Sequence, residues 1–125
     1  MIGYAMLGTN DVRRAKAFYD PIVAALGGAI VEAYTTPDRV WYAKKGEALL
    51  VVTKPHDGKP ATTSNGSMLA LPAGSHAKVS EVHALALRAG ATNEGDPGFR
   101  TPPFFGAYFR DPDGHKLCVF ALKES

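Results

Sequence analysis

The period of the apolar positions changes several times along the chain, and each change marks an element. Residues 2–7 form a short, mostly apolar run that reads as a buried strand. Thr9-Asn10-Asp11 then offers side-chain oxygens to cap a helix start. Val12, Ala15, Phe18, Tyr19, Ile22 and Leu26 recur at three- and four-residue spacing, the apolar stripe of an amphipathic helix. Pro21 lies inside that stripe. Its missing N–H and its ring, crowding the preceding turn, predict a kink or a restart there. Gly27-Gly28 can end the helix in a left-handed turn. Three strand-like runs follow, over 29–34, 39–44 and 47–53, with turns at Pro37-Asp38 and Lys45-Gly46. Residues 54–63 mix prolines and a glycine with polar residues and read as a linker.

The second half repeats the order. A strand over 68–71 leads to Gly74-Ser75, where a helix can begin with Val79, Val82, Ala86 and Ala89 on one face and Gly90 at its end. Residues 92–94 read as a short strand. A long loop through Gly95, Pro97, Gly98, Pro102 and Pro103 follows. Strands over 105–110 and 116–122 flank the tight-turn sequence Asp111-Pro112-Asp113-Gly114. The two helix ends also look alike, Leu26-Gly27-Gly28-Ala29 beside Arg88-Ala89-Gly90-Ala91. A repeated strand–helix–three-strand unit in an α+β chain is the reading these observations favour, with a generic α+β sandwich of accidental symmetry as the alternative.

Composition narrows the function classes. The chain has 125 residues, enough to bury a real core. A hydrophobic fraction of 46% with 21% charged residues argues against disorder. The net charge is only +2, and the basic residues form pairs, Arg13-Arg14 and Lys44-Lys45, with no stripe of the kind that binds nucleic acid. Cys118 is the sole cysteine, which rules out an intrachain disulfide and suits a reducing compartment. Asn10, Asp11, Arg13 and Arg14 interrupt any signal-like apolar run, and no stretch approaches the ~20 residues that span a bilayer. The expectation is a cytoplasmic protein with neither a nucleic-acid nor a membrane partner.

Three motifs carry a resemblance. Asp11-Val12-Arg13-Arg14-Ala15-Lys16-Ala17-Phe18-Tyr19 resembles a pattern Asp-Leu-x-Arg-Ser-x-x-Phe-Tyr that follows the first strand in one superfamily. Asp111-Pro112-Asp113-Gly114-His115 is similar to its last hairpin, with His115 in place of an asparagine. Asn65-Gly66-Ser67-Met68-Leu69-Ala70-Leu71 resembles the start of its second module. The family is the glyoxalase / bleomycin-resistance protein / extradiol dioxygenase, or vicinal oxygen chelate, superfamily. The resemblance covers the whole chain. It implies one domain over 1–125, of two βαβββ modules (1–60 and 61–125), forming a cupped mixed eight-stranded sheet with helices on its outer face, and a homodimer.

In metal-dependent members four strand residues hold one divalent ion, which polarises two neighbouring substrate oxygens. Other members bind ligands without chemistry. The equivalent positions here are Tyr4, a site near Val51, Met68 and Cys118. None is His, Asp or Glu, the usual ligands besides thiolate, so no metal and no cofactor is expected. A one-residue shift brings in only Leu50, Val52, Ser67 or Leu69, and Glu47 lies four residues from Val51.

Among other candidates, Cys118 reads as a buried strand thiol before it reads as a nucleophile. His83 reads as a satisfied, partly buried histidine on the second helix. His115 sits in a turn, and His56 and His76 lie in a loop or at a helix start. Trp41, Tyr42, Phe104, Phe105, Tyr108 and Phe109 lie in or beside strands, where alternation sends neighbours to opposite faces. The expected ligand pocket takes Tyr4, Trp41, Met68, Phe105, Tyr108 and Cys118, with the glycine- and proline-rich loop at its rim. No catalytic residue is assigned. The function expected is binding of a small molecule without metal. The alternative is a lyase, isomerase or dioxygenase of the same superfamily, with an unusual metal site or metal-free with Tyr4 or Tyr108 as the acid.

Overall fold

The computed structural model describes residues 1–122. The chain forms two compact units, Met1–Thr63 and a second beginning at Ser64, and each builds its own four-stranded mixed sheet with one helix. The α+β class and the twice-used strand–helix–three-strand order are those the apolar pattern predicts.

In the first unit, β1 (Tyr4–Gly8) leads to α1 (Val12–Ala25), then to β2 (Ala29–Ile30), β3 (Arg39–Ala43) and β4 (Leu49–Thr53), in the sheet order β1-β4-β3-β2. β1 runs parallel to β4, and the other pairs are antiparallel. Asp11 caps α1 by accepting from the Arg14 N–H at 3.0 Å. Val12, Ala15, Phe18, Tyr19 and Ile22 bury the face that the three- and four-residue spacing marks. Opposite them, Val40 and Tyr42 of β3 and Val52 of β4 are also buried. Each large apolar side chain removed from water here stabilises the unit by roughly 1.5–3 kcal/mol. The Tyr42 hydroxyl donates to Asp20 Oδ1 at 2.6 Å, which ties the sheet to the helix by a polar bond as well.

The second unit repeats this plan with β5 (Leu69–Pro72), α2 (His76–Arg88), β6 (Thr92–Phe99), β7 (Phe105–Arg110) and β8 (Lys116–Ala121), in the order β5-β8-β7-β6. Ser75 caps α2 through the Lys78 N–H. Val79, Val82, His83 and Ala86 are buried on the helix, and Ala107, Phe109, Leu117, Val119 and Ala121 on the strands. His83 is a satisfied core histidine, as expected. Its Nε2 lies 3.0 Å from Asn93 Oδ1, and its ring lies near Phe109. Both helices end at glycines in the left-handed region, Gly27 at φ 87° and Gly90 at φ 110°.

Several local expectations are corrected. The strand expected over 29–34 stops after Ile30, and Glu32–Tyr34 forms a single 3₁₀ turn. Thr35 draws the chain round, because its Oγ1 donates to the Val31 carbonyl while its N–H donates to the Glu32 carbonyl. The short strand and long loop expected over 92–104 become an eight-residue strand, β6. Two register shifts, between Asn93 and Gly95 and between Gly95 and Gly98, absorb the glycines and Pro97. An edge strand tolerates both proline and such irregularity. Pro21 neither ends nor restarts α1, which is assigned as one helix through it, with the ring at an exposed position. β1 is not buried on both sides, since Tyr4 and Met6 are exposed.

Candidate functional site

Strand alternation gives each sheet one face toward its helix and one face away from it. The away-facing surfaces hold most of the candidate residues.

In the first unit, Tyr4 and Met6 of β1 pair with Leu49 and Val51 of β4, and Val51 pairs with Trp41 of β3. These residues share the face opposite α1, whereas Tyr42 points to the helix side and meets Tyr19. Trp41 lies between two tyrosines, with ring centroids 5.2 Å from Tyr4 and 5.7 Å from Tyr34. Beside it runs a groove of about 470 Å³ lined by Tyr34, Thr36, Asp38, Arg39 and Trp41. Tyr4 and Tyr34 are both more than half exposed. Tyr34 enters this cluster because the 3₁₀ turn places it there, and a straight strand reading had given it no role.

In the second unit, Tyr108 of β7 stands directly opposite Cys118 of β8. Gly106 and Phe120 form the next pair on the same face, and Arg110 and Lys116 the one before. Cys118 is fully buried. Burial holds its thiol above the usual range, while the Tyr108 hydroxyl, Arg100 and Lys116 pull in the opposite direction. Tyr108 is itself pushed up, first by desolvation and then by the neighbouring sulfur. Both groups therefore stay protonated at neutral pH.

Two cations surround the Tyr108 ring. Arg100 has its guanidinium carbon 5.1 Å from the ring centroid, and Lys116 Nζ lies at 5.5 Å. Arg100 is held in place from behind. One terminal nitrogen donates to the Gly98 carbonyl at 3.1 Å and the other to the Asp96 carbonyl at 2.8 Å. Gly95 clears the space: a Cβ there would lie 2.9 Å from the guanidinium and 3.0 Å from the Tyr108 ring. Gly106 does the same for Phe104, which stacks on Phe120 with centroids 5.3 Å apart.

Of the expected pocket residues, Tyr108 and Cys118 share one face of the second sheet, and Tyr4 and Trp41 share one face of the first. Met68 lies exposed just before β5. Phe105 is on the other side of its sheet, stacked on His76 of α2 at 4.0 Å and edge-on to Phe99. Arg100, Lys116 and Phe120 were not among the expected residues. Alternation from Cys118 could have found Lys116 and Phe120, two positions either side of it. No local signal marks Arg100.

The inherited metal positions do not suit a divalent ion. Val51 is a fully buried aliphatic side chain, Met68 is a thioether, and Cys118 carries a thiol that burial keeps protonated. Among the described residues, no three His, Cys, Asp or Glu side chains converge as a metal group.

A family model described as a glyoxalase-like domain matches residues 4–120. Among solved structures, a glyoxalase/bleomycin resistance protein from Albidiferax ferrireducens T118 is 36% identical, with a TM-score of 0.85 over 97% of this chain and 98% of that one. A glyoxalase/bleomycin resistance protein/dioxygenase family enzyme from Burkholderia phytofirmans PsJN is 17% identical, with a TM-score of 0.77 over 97% of this chain and 98% of that one. A lactoylglutathione lyase from Agrobacterium tumefaciens is 22% identical, with a TM-score of 0.67 over 97% and 92%. The last two likenesses concern the fold alone. No curated protein matches the sequence. The repeated βαβββ units, the three motifs and the family match along nearly the whole chain together place it in the glyoxalase-like domain family of the glyoxalase/bleomycin-resistance/dioxygenase superfamily.

Proposed function

We propose that the protein binds a small organic molecule on the sheet faces turned away from its helices, without a resident metal, as a cytoplasmic homodimer. The observation that carries this reading is the contrast within the second unit. The inherited ligand position at Cys118 is buried and protonated, while around it Tyr108, Phe104 and Phe120 offer an aromatic surface edged by two cations. Aromatic walls with a few fixed polar groups are typical of ligand sites. The Tyr4–Trp41–Tyr34 cluster of the first unit offers a second aromatic surface. Among the described residues, no helix is long and apolar enough to cross a membrane.

The test is a ligand screen on protein dialysed against chelator, with product detection on every hit. Binders that are recovered unchanged support the reading. About one equivalent of a transition metal retained through dialysis would overturn its metal-free part. Conversion of a hit favours the second reading, a metal-free enzyme in which Tyr108, kept protonated by desolvation, supplies the acid.

A further inference from the structure

The two acidic side chains of β6 are already engaged. Glu94 accepts from Arg110 Nε at 2.7 Å, and the Asp96 carboxylate accepts from Asn93 Nδ2 at 2.7 Å. Arg100 uses the Asp96 main-chain carbonyl, not its carboxylate. Neither Arg100 nor Lys116 forms an ion pair among the described residues. Among the described residues, two positive charges thus stand over one tyrosine ring without an ion-pair partner. One of them is fixed by two main-chain hydrogen bonds, and a glycine makes room for it. A guanidinium anchored in this way has lost its side-chain freedom before any ligand arrives and still has unused donors. Such preorganisation favours recognition of an oxyanion. Beside the charges lies the Phe104–Phe120 stack, which suits an apolar body attached to that anion.

We propose that Arg100 and Lys116, set around Tyr108, form an anion-recognition subsite, and that the ligand of this face is a small organic anion with an apolar or aromatic body. The proposal rests on the small-molecule reading above and adds the ligand's chemical class. Carboxylate, sulfonate and phosphate share the required chemistry. Arg100 reads a pair of anionic oxygens, Lys116 supplies a mobile second charge, and the aromatic rings hold the rest.

The experiment compares two fluorescent probes of nearly the same shape, the sulfonate 1-anilinonaphthalene-8-sulfonate and neutral N-phenyl-1-naphthylamine. Both are titrated into the full chain and into Arg100→Gln, Lys116→Gln, the double variant and Arg100→Lys. Amide shifts locate the binding face, and melting curves confirm folding. Wild type is expected to prefer the sulfonate by about tenfold, the effect of roughly 1.4 kcal/mol, and to lose the preference as salt rises. The shifts should gather in β6, β7 and β8. The double variant should bind both probes alike, and Arg100→Lys should recover part of the difference. Lys116→Gln is the safer single variant, because Arg100 also braces the end of β6. Equal binding of the two probes by wild type overturns the anion subsite and leaves the small-molecule reading standing. So does a preference that survives in the double variant. Failure of both probes to bind this face overturns both.

Discussion

Two groups test the reading residue by residue, Cys118 and Tyr42. The Cys118 thiol is fully buried and held protonated, so in native protein it should resist a water-soluble disulfide reagent and react only when denaturant opens the fold. Rapid native labelling would return Cys118 to the list of nucleophiles. The same burial gives a sign to the pH dependence. The thiol and the Tyr42 hydroxyl are both raised, so the folded state binds protons more tightly than the unfolded one. Their contribution is fully present below their ordinary values and is lost as pH rises above them. The melting temperature should therefore be flat through neutral pH and fall above about pH 9, with a smaller fall in Cys118→Ala. Tyr42→Phe removes the bond to Asp20 and should cost about 1 kcal/mol in urea unfolding, without affecting the Tyr108 face. Residue by residue, the sequence separates buried from exposed groups well. Tyr42 and Phe109 do point to the helices while Trp41 and Tyr108 do not, because alternation is enforced by the backbone itself.

Element by element, what was legible is what local pattern controls. The helix stripes, both glycine stops and the hairpin of β7 and β8 follow from spacing and turn chemistry. The Asp111 carboxylate accepts from the N–H groups of Asp113 and His115, a turn that its own four-residue sequence specifies. β6 was illegible for the opposite reason. Only its first three residues, 92–94, read as a strand; nothing in 95–99 favours one, and pairing with β7 imposes it there. Arg100 could not be singled out because its place depends on that imposed strand. Gly95 links the two facts. Gly95→Ala puts a methyl group against both Arg100 and the Tyr108 ring, so it should weaken binding of the sulfonate probe several-fold, by about 1 kcal/mol, with a smaller effect on the neutral one. The clash falls on an exposed guanidinium, whose two main-chain bonds can be given up without opening the core, so the melting temperature should change less than the affinity. Equal losses for both probes would show that Gly95 shapes the sheet and not the position of the guanidinium.

The whole molecule is a structural repeat, and its apolar surfaces bear on assembly. Met1, Ile2, Tyr4, Met6 and Tyr34 are exposed in the first unit, and Met68 and Phe99 in the second. Light scattering at tens of micromolar is expected to give about twice the chain mass of 13.3 kDa. A mass of one chain would remove the dimer from the proposal. The family and the repeat were readable from whole-chain order. A ligand was not, because one fold hosts many functions, and the two cations proposed to recognise one, Arg100 and Lys116, sit outside the shared motifs.

The irregularity of β6 reaches beyond the site. It is one of the two outer strands of its sheet, and its ladder slips twice and includes a proline that has no N–H to offer. β2, one of the two outer strands of the other sheet, is only two residues long. A foreign strand arriving at either flank would find no continuous row of donors and acceptors to copy. The chain can therefore keep apolar surface in water without seeding fibrils from these flanks. The glycines and proline that hid β6 from view also act as its gatekeepers against open-ended growth.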